Sequence, residues 1–170
     1  MDSLPYSKPY VESSVFISFI KGEKSQGPNQ DGDGKAILES IIVAAKAGYF
    51  PIHTSALTIA EVHKRKPLPT LKDSECEDLS PYFRESYIQL IEVDREIAEM
   101  ANHLCRIHKA AVGQKALLPN DAIHIASAKH AGCDVLLTWD PDLLSQKIDG
   151  LRIECPVDIS SLPFTLQAGQ

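Results

Sequence analysis

Four carboxylates interrupt apolar segments of this chain: Glu12, Glu61, Asp121 and Asp140. A buried charge is costly unless it is paired or bound to a cation, so acids at such places are where chemistry should be sought. Glu12 sits among Tyr10, Val11, Val15 and Phe16, and Glu61 lies one helical turn beyond Leu57 in Leu57-Thr58-Ile59-Ala60-Glu61-Val62. Asp121 opens the most apolar helical segment, Pro119-Asn120-Asp121-Ala122-Ile123-His124-Ile125-Ala126, and Asp140 directly follows Val135-Leu136-Leu137-Thr138. Singly, each has a structural explanation: a strand-end acid reaching water, a polar helix face, a first-turn acid favoured by the helix dipole, and an N-cap ahead of Pro141. Jointly they point further. Acids that follow strand ends meet where open parallel sheets bind ligands, and an oxygen donor set suits Mg2+ or Mn2+. Such a cation would activate water for attack on phosphorus and stabilise the leaving oxygen.

Other chemistries fit less well. Cys76, Cys105, Cys133 and Cys155 form no C-x-x-C pair, and the histidines give no H-E-x-x-H, which argues against zinc. His103 and His108 are five residues apart and share no helix face. His124 reads as a structural histidine, because no nucleophile accompanies it, and Asp142 as a first-turn acid. A phosphoacceptor receiver would need an acidic pair where Glu12-Ser13-Ser14 stands. A haloacid-dehalogenase-like phosphatase would need its D-x-D-x-T early in the chain, not Asp140-Pro141-Asp142-Leu143-Leu144 late in it.

The elements that must position these acids alternate. Tyr10 to Ile17 reads as a strand running into a short helix that ends about Lys21, and Gly22 to Gly34, rich in Gly, Pro, Asn and Asp, as a mobile loop. Lys35 to Ala47 has helical spacing at Ile37, Leu38, Ile41, Ile42 and Ala45, closed by Gly48. A strand at Phe50 to Thr54 precedes a helix at Ala56 to His63, which the run Lys64, Arg65, Lys66 and then Pro67 end. Lys72 to Tyr87 suggests helix with a break near Pro81, Ile88 to Val93 a strand, and Arg95 to His108 a helix capped by Asp94. Asp121 to Ala131 is a helix closed by Gly132, followed by a strand at Val135 to Thr138, a short helix at Pro141 to Lys147 and a last strand at Arg152 to Cys155. Strands separated by helices predict a three-layer α/β/α fold with a central parallel sheet.

At these residues the sequence resembles the PIN-domain ribonucleases, a family that includes toxins of bacterial toxin–antitoxin pairs. Tyr10-Val11-Glu12-Ser13-Ser14-Val15 looks like its opening strand with acid and Ser/Thr pair, and Thr58-Ile59-Ala60-Glu61-Val62 like its second acidic motif. Asn120-Asp121-Ala122-Ile123-His124-Ile125-Ala126 and the stretch from Ala131 to Asp140 look like the third and fourth. The resemblance implies a PIN-like fold and metal-dependent RNA cleavage. It makes Glu12, Glu61, Asp121 and Asp140 the catalytic, Mg2+- or Mn2+-coordinating acids, with Asp142 assisting and Ser14 and Thr138 supporting the site. Lys64, Arg65 and Lys66 are expected to guide the RNA backbone. An antitoxin protein is the partner expected of a toxin, and a homodimer is left open. One departure stands out: the family's first acid is usually Asp, and here it is Glu12. The alternative reading is a PIN-like fold that no longer cuts and serves as a protein-binding or RNA-binding module.

A chain of 170 residues, 44% hydrophobic, fits one domain, expected over residues 1–170 with its core at about 9–157. No apolar run is long enough to span a membrane, and the N-terminus lacks a basic-then-apolar leader, so a cytoplasmic protein is expected. The net charge of −6 argues against coating nucleic acid through the overall field, and a cation-binding acid cluster is compatible with it.

Overall fold

Five short strands form the sheet: β1 (Pro9–Val11), β2 (Ile52–Ser55), β3 (Ile88–Ile91), β4 (Val135–Leu137) and β5 (Arg152–Glu154). The structure is a computed structural model and describes residues 4–21, 34–64, 81–108 and 115–162. All pairings are parallel and the strand order is β3-β2-β1-β4-β5. The first strand is therefore central. Tyr10 pairs with His53 on one side and with Leu136 on the other. From β1 the chain goes to β2 on one flank and only later to β4 on the other, which opens a crevice at the carboxyl ends of these three strands.

Helices cover both faces: α1 (Ser13–Lys21), α2 (Gly34–Lys46), α3 (Ala56–Lys64), α4 (Arg95–Ile107), α5 (Pro119–His130) and α6 (Pro141–Leu144). The alternation of strand side chains assigns them to two cores. Val11, Ile52, Val135 and Leu137 pack with Val15, Phe16, Leu38 and Ile41 of α1 and α2. Tyr10 and Leu136 pack instead with Ile97, Leu104, Ile125 and Leu143 of α4, α5 and α6. Burying each such aliphatic side chain contributes about 1.5–3 kcal/mol. Residue 12 continues the side of Tyr10, so Glu12 is directed toward the layer that contains α5.

The expected three-layer fold is the observed one, with local differences. The strand expected from Tyr10 to Ile17 stops at Val11, because Ser13 begins α1. The Val15 amide donates to the Glu12 carbonyl at 3.1 Å, and Val15, Phe16 and Ile17 are buried from a helix rather than from a strand. Gly34, expected in the loop, is the buried first residue of α2; residues 22–33 lie outside the described set. Of the helix expected over Lys72 to Tyr87, only residues 81–87 are described, and they make a 3₁₀ turn at Tyr82–Arg84 with extended backbone at Glu85. The α5 helix starts two residues before Asp121, with Pro119 in its first turn.

Candidate metal centre

Glu12 follows β1 and its amide donates to the Leu137 carbonyl at 3.0 Å, which ties the first acid to the end of β4. The residue is 5% exposed, yet its carboxylate is well partnered. Oε2 accepts from the Ser14 amide at 3.0 Å, the Ser14 hydroxyl at 2.5 Å and the Thr138 hydroxyl at 2.9 Å. Oε1 accepts from the Ser13 hydroxyl. Three donors thus engage Oε2, while Oε1 lies on the side of His124, 3.8 Å from its Nε2. Ser14 also accepts from the Trp139 amide at 2.9 Å, and Thr138 from the Asp140 amide at 2.9 Å. Ser14 and Thr138, the expected supporting residues, both contact Glu12.

Glu61 projects from α3 toward α5. Its Oε1 accepts from the Asn120 amide nitrogen at 2.9 Å, and its Oε2 lies 2.8 Å from His124 Nε2. Burial is the largest influence on this carboxyl and pushes it up. The hydrogen bond and charge of His124, with hydrogen bonds from Ser13 and Asn120, outweigh it and hold the group at about 2.

Asp121, one turn before His124 on α5, has the opposite environment. Among the described residues no hydrogen bond or ion pair reaches its carboxylate. Burial pushes it up first, the charges of Asp140, Glu12 and Glu61 add to this against the pull of His124, and the carboxyl lies at about 6. Asp140 caps α6 by accepting from the Asp142 amide at 2.8 Å through Oδ1. Its charge is the leading electrostatic contribution at Asp121, so the two acids face one field.

The structure thus brings Glu12 and Glu61 together, whereas Asp121 and Asp140 are connected to them through the charges that bear on Asp121. Asp142 stands apart. It pairs with Lys115 at 2.8 Å on the rim, and Lys115 also feels the charge of Asp140. The Lys64 side chain, Arg65 and Lys66 lie outside the described residues.

Sequence reasoning did not find the role of His124. This ring is 1% exposed, and its Nε2, a Glu12 oxygen and a Glu61 oxygen form a group whose atoms lie within 4.8 Å of one another. Its Nδ1 meets the Tyr10 hydroxyl at 2.7 Å. Two signals could have marked it: His124 is three residues from Asp121 on one helix face, and Tyr10 is two residues from Glu12 on one strand face. Asn120 and Ser13 also contact the acids, from positions adjacent to Asp121 and Glu12 in the motifs.

No curated protein matches the chain. Among solved structures, VapBC2 from Rickettsia felis, bound to a promoter DNA fragment, is 18% identical with a TM-score of 0.57, over 87% of this chain and 98% of that one. A toxin–antitoxin complex from Klebsiella pneumoniae is 18% identical with a TM-score of 0.54, over 84% and 94%. VapC20 of Mycobacterium tuberculosis, a sarcin–ricin loop cleaving toxin, is 14% identical with a TM-score of 0.53, over 85% and 98%. At such identities the likeness concerns the fold. The PIN domain profile, however, matches residues 10–148, a span that contains all four candidate acids, and the chain belongs to the PIN domain family.

Proposed function

We propose that this PIN domain is a divalent-metal-dependent ribonuclease, with Glu12, Glu61, Asp121 and Asp140 as the acids that would hold Mg2+ or Mn2+. The observation that carries the reading is the meeting of the Glu12 and Glu61 carboxylates, with Asp121 pushed up to about 6 by burial and by its acidic neighbours. Like charges brought together without compensation destabilise a fold, and a cation removes that cost. Carboxylate oxygens are the donors that hard divalent cations prefer. The donor set therefore fits the group.

When bound, the cation would supply an activated water and charge stabilisation for phosphodiester hydrolysis. The chain's own residues supply the frame. Ser13, Ser14 and Thr138 fix the Glu12 carboxylate, Asn120 and His124 fix Glu61, and the cap bond of Asp140 orients that side chain at the start of α6. Lys115 on the rim, with the basic run Lys64, Arg65 and Lys66, offers cations to an RNA backbone. Asp142, paired with Lys115, assists at that rim.

A toxin role with an antitoxin partner is supported by the fold shared with the toxin structures. No helix among the described residues is long and apolar enough to cross a membrane, which is compatible with the cytoplasmic action such a role requires. The test is cleavage of a mixed RNA pool with Mn2+, Mg2+ or chelator. Cleavage is expected with either ion and not in chelator. Chelator-resistant cutting sinks the metal mechanism, and a protein that neither binds Mn2+ nor cuts RNA is the silent binding module.

A further inference from the structure

A buried histidine beside two acids can be a ligand to the cation or the group that holds a ligand in place, and the hydrogen bonds around His124 separate the two. The Ser55 amide donates to the Tyr10 oxygen at 3.1 Å. The same hydroxyl meets His124 Nδ1, 2.7 Å away. On its other side the ring faces Glu61 Oε2, an acceptor-only carboxylate oxygen 2.8 Å from Nε2, so Nε2 carries a proton and donates it there. A nitrogen that carries a proton has no lone pair for a metal.

We propose that His124 is a positioning residue: its ring, held by the Tyr10 hydroxyl, fixes the Glu61 carboxylate against Glu12. The inference rests on the reading that these acids bind a divalent cation. A chain of donors runs from the backbone of β2 through Tyr10 and His124 to Glu61, and every member but Glu61 is fully buried. Asn120 holds the other Glu61 oxygen from the same helix. Thus α5 carries Asp121 and also the two groups that set Glu61, so two acids on different helices keep one geometry. A carboxylate fixed at both oxygens loses little freedom when a cation arrives, and outer-sphere partners of this kind typically change metal affinity by about 10–100-fold.

The test uses the full chain with His124→Leu, His124→Gln and Tyr10→Phe. Mn2+ affinity is read by calorimetry, and the metal-free melting temperature is read alongside. His124→Leu, close in volume but without a donor, should weaken Mn2+ binding about 10–100-fold. His124→Gln, whose amide nitrogen can stand where Nε2 stands, should recover most of the loss. Tyr10→Phe keeps the ring and frees its orientation, and a several-fold loss is expected; it carries the test should His124→Leu fail to fold. A merely structural histidine would lower the melting temperature and leave Mn2+ affinity intact, and that result overturns the proposal. Directly coordinated histidine nitrogen, seen as strong ¹⁵N coupling to Mn2+ in electron spin echo spectra of ¹⁵N-histidine protein, also overturns it. A parent chain that fails to bind Mn2+ removes the underlying reading of the site before any variant is made.

Discussion

At the scale of single residues, two acids in one crevice are set apart by their partners. Glu61 is held near 2 by donors and Asp121 raised to about 6 by burial and like charge, so they contribute to stability with opposite signs. In chelator the folded chain keeps a proton on Asp121 that the unfolded chain has lost, so stability falls as pH rises from the ordinary aspartate value of 3.8 to about 6. Asp121→Asn should remove that decline and, because the site is partly exposed, make the metal-free protein more stable by about 1 kcal/mol at pH 7. Denaturant melts between pH 4 and 7 measure it; a parent whose stability is flat across that window contradicts the argument. For Glu12, three donors on Oε2 dictate that a glutamine would present its carbonyl oxygen there and its amide nitrogen at Oε1. Glu12→Gln should therefore fold, with a melting temperature close to the parent's in chelator, and lose the Mn2+-induced rise; a rise of parental size would show that Oε1 takes no part. The acids themselves were legible in the sequence because each breaks an apolar run. Of their holders, Ser14 and Thr138 follow from the motifs, but Ser13, Asn120, Tyr10 and His124 do not: no pattern in their spacing says which partner each will find.

At the scale of elements, helices and strands emerged where periodicity or punctuation was strong. Gly48 and Gly132 lie where expected after α2 and α5, each with positive φ, 83° and 66°. Boundaries failed where a residue suits two states. Val15, Phe16 and Ile17 read equally as strand, and the decision belongs to the cap at Glu12, Ser13 and Ser14, a tertiary feature that also builds the site. Gly132 provides a control for the chemistry. A methyl there would meet nothing closer than Lys8 Nζ at 3.8 Å, so the cost is the left-handed backbone alone, about 1–2 kcal/mol. Gly132→Ala should lower the melting temperature and leave the Mn2+ affinity of the folded protein unchanged. A parallel loss of affinity would mean that general stability, rather than the local donors, governs the centre.

At the scale of the whole molecule, alternation of strands and helices made the parallel three-layer fold legible, whereas the order β3-β2-β1-β4-β5 was not. Sequence order carries no direct record of which strand becomes central, and the hold of Thr138 on Glu12 depends on β1 lying beside β4. Charge raises a further question at this scale, since a protein of net charge −6 must approach a polyanion. A cation at the acid cluster lowers the local repulsion, and the remaining attraction must come from clustered bases rather than from the overall field. Lys64, Arg65 and Lys66 form one such cluster, starting at the last residue of the helix that bears Glu61. Each phosphate contact on single-stranded nucleic acid contributes about 0.7 to the slope of log affinity against log salt, so three contacts would contribute about 2. Replacing all three by Ala should weaken RNA binding at low salt and flatten that slope by up to about 2, with Mn2+ affinity unchanged because no carboxylate is touched. The measurement is RNA binding across a salt series in Mn2+ with a cleavage-deficient Asp140→Asn background. Equal slopes in the two proteins would assign the attraction elsewhere, with Lys115 beside Asp142 as the next cation to replace.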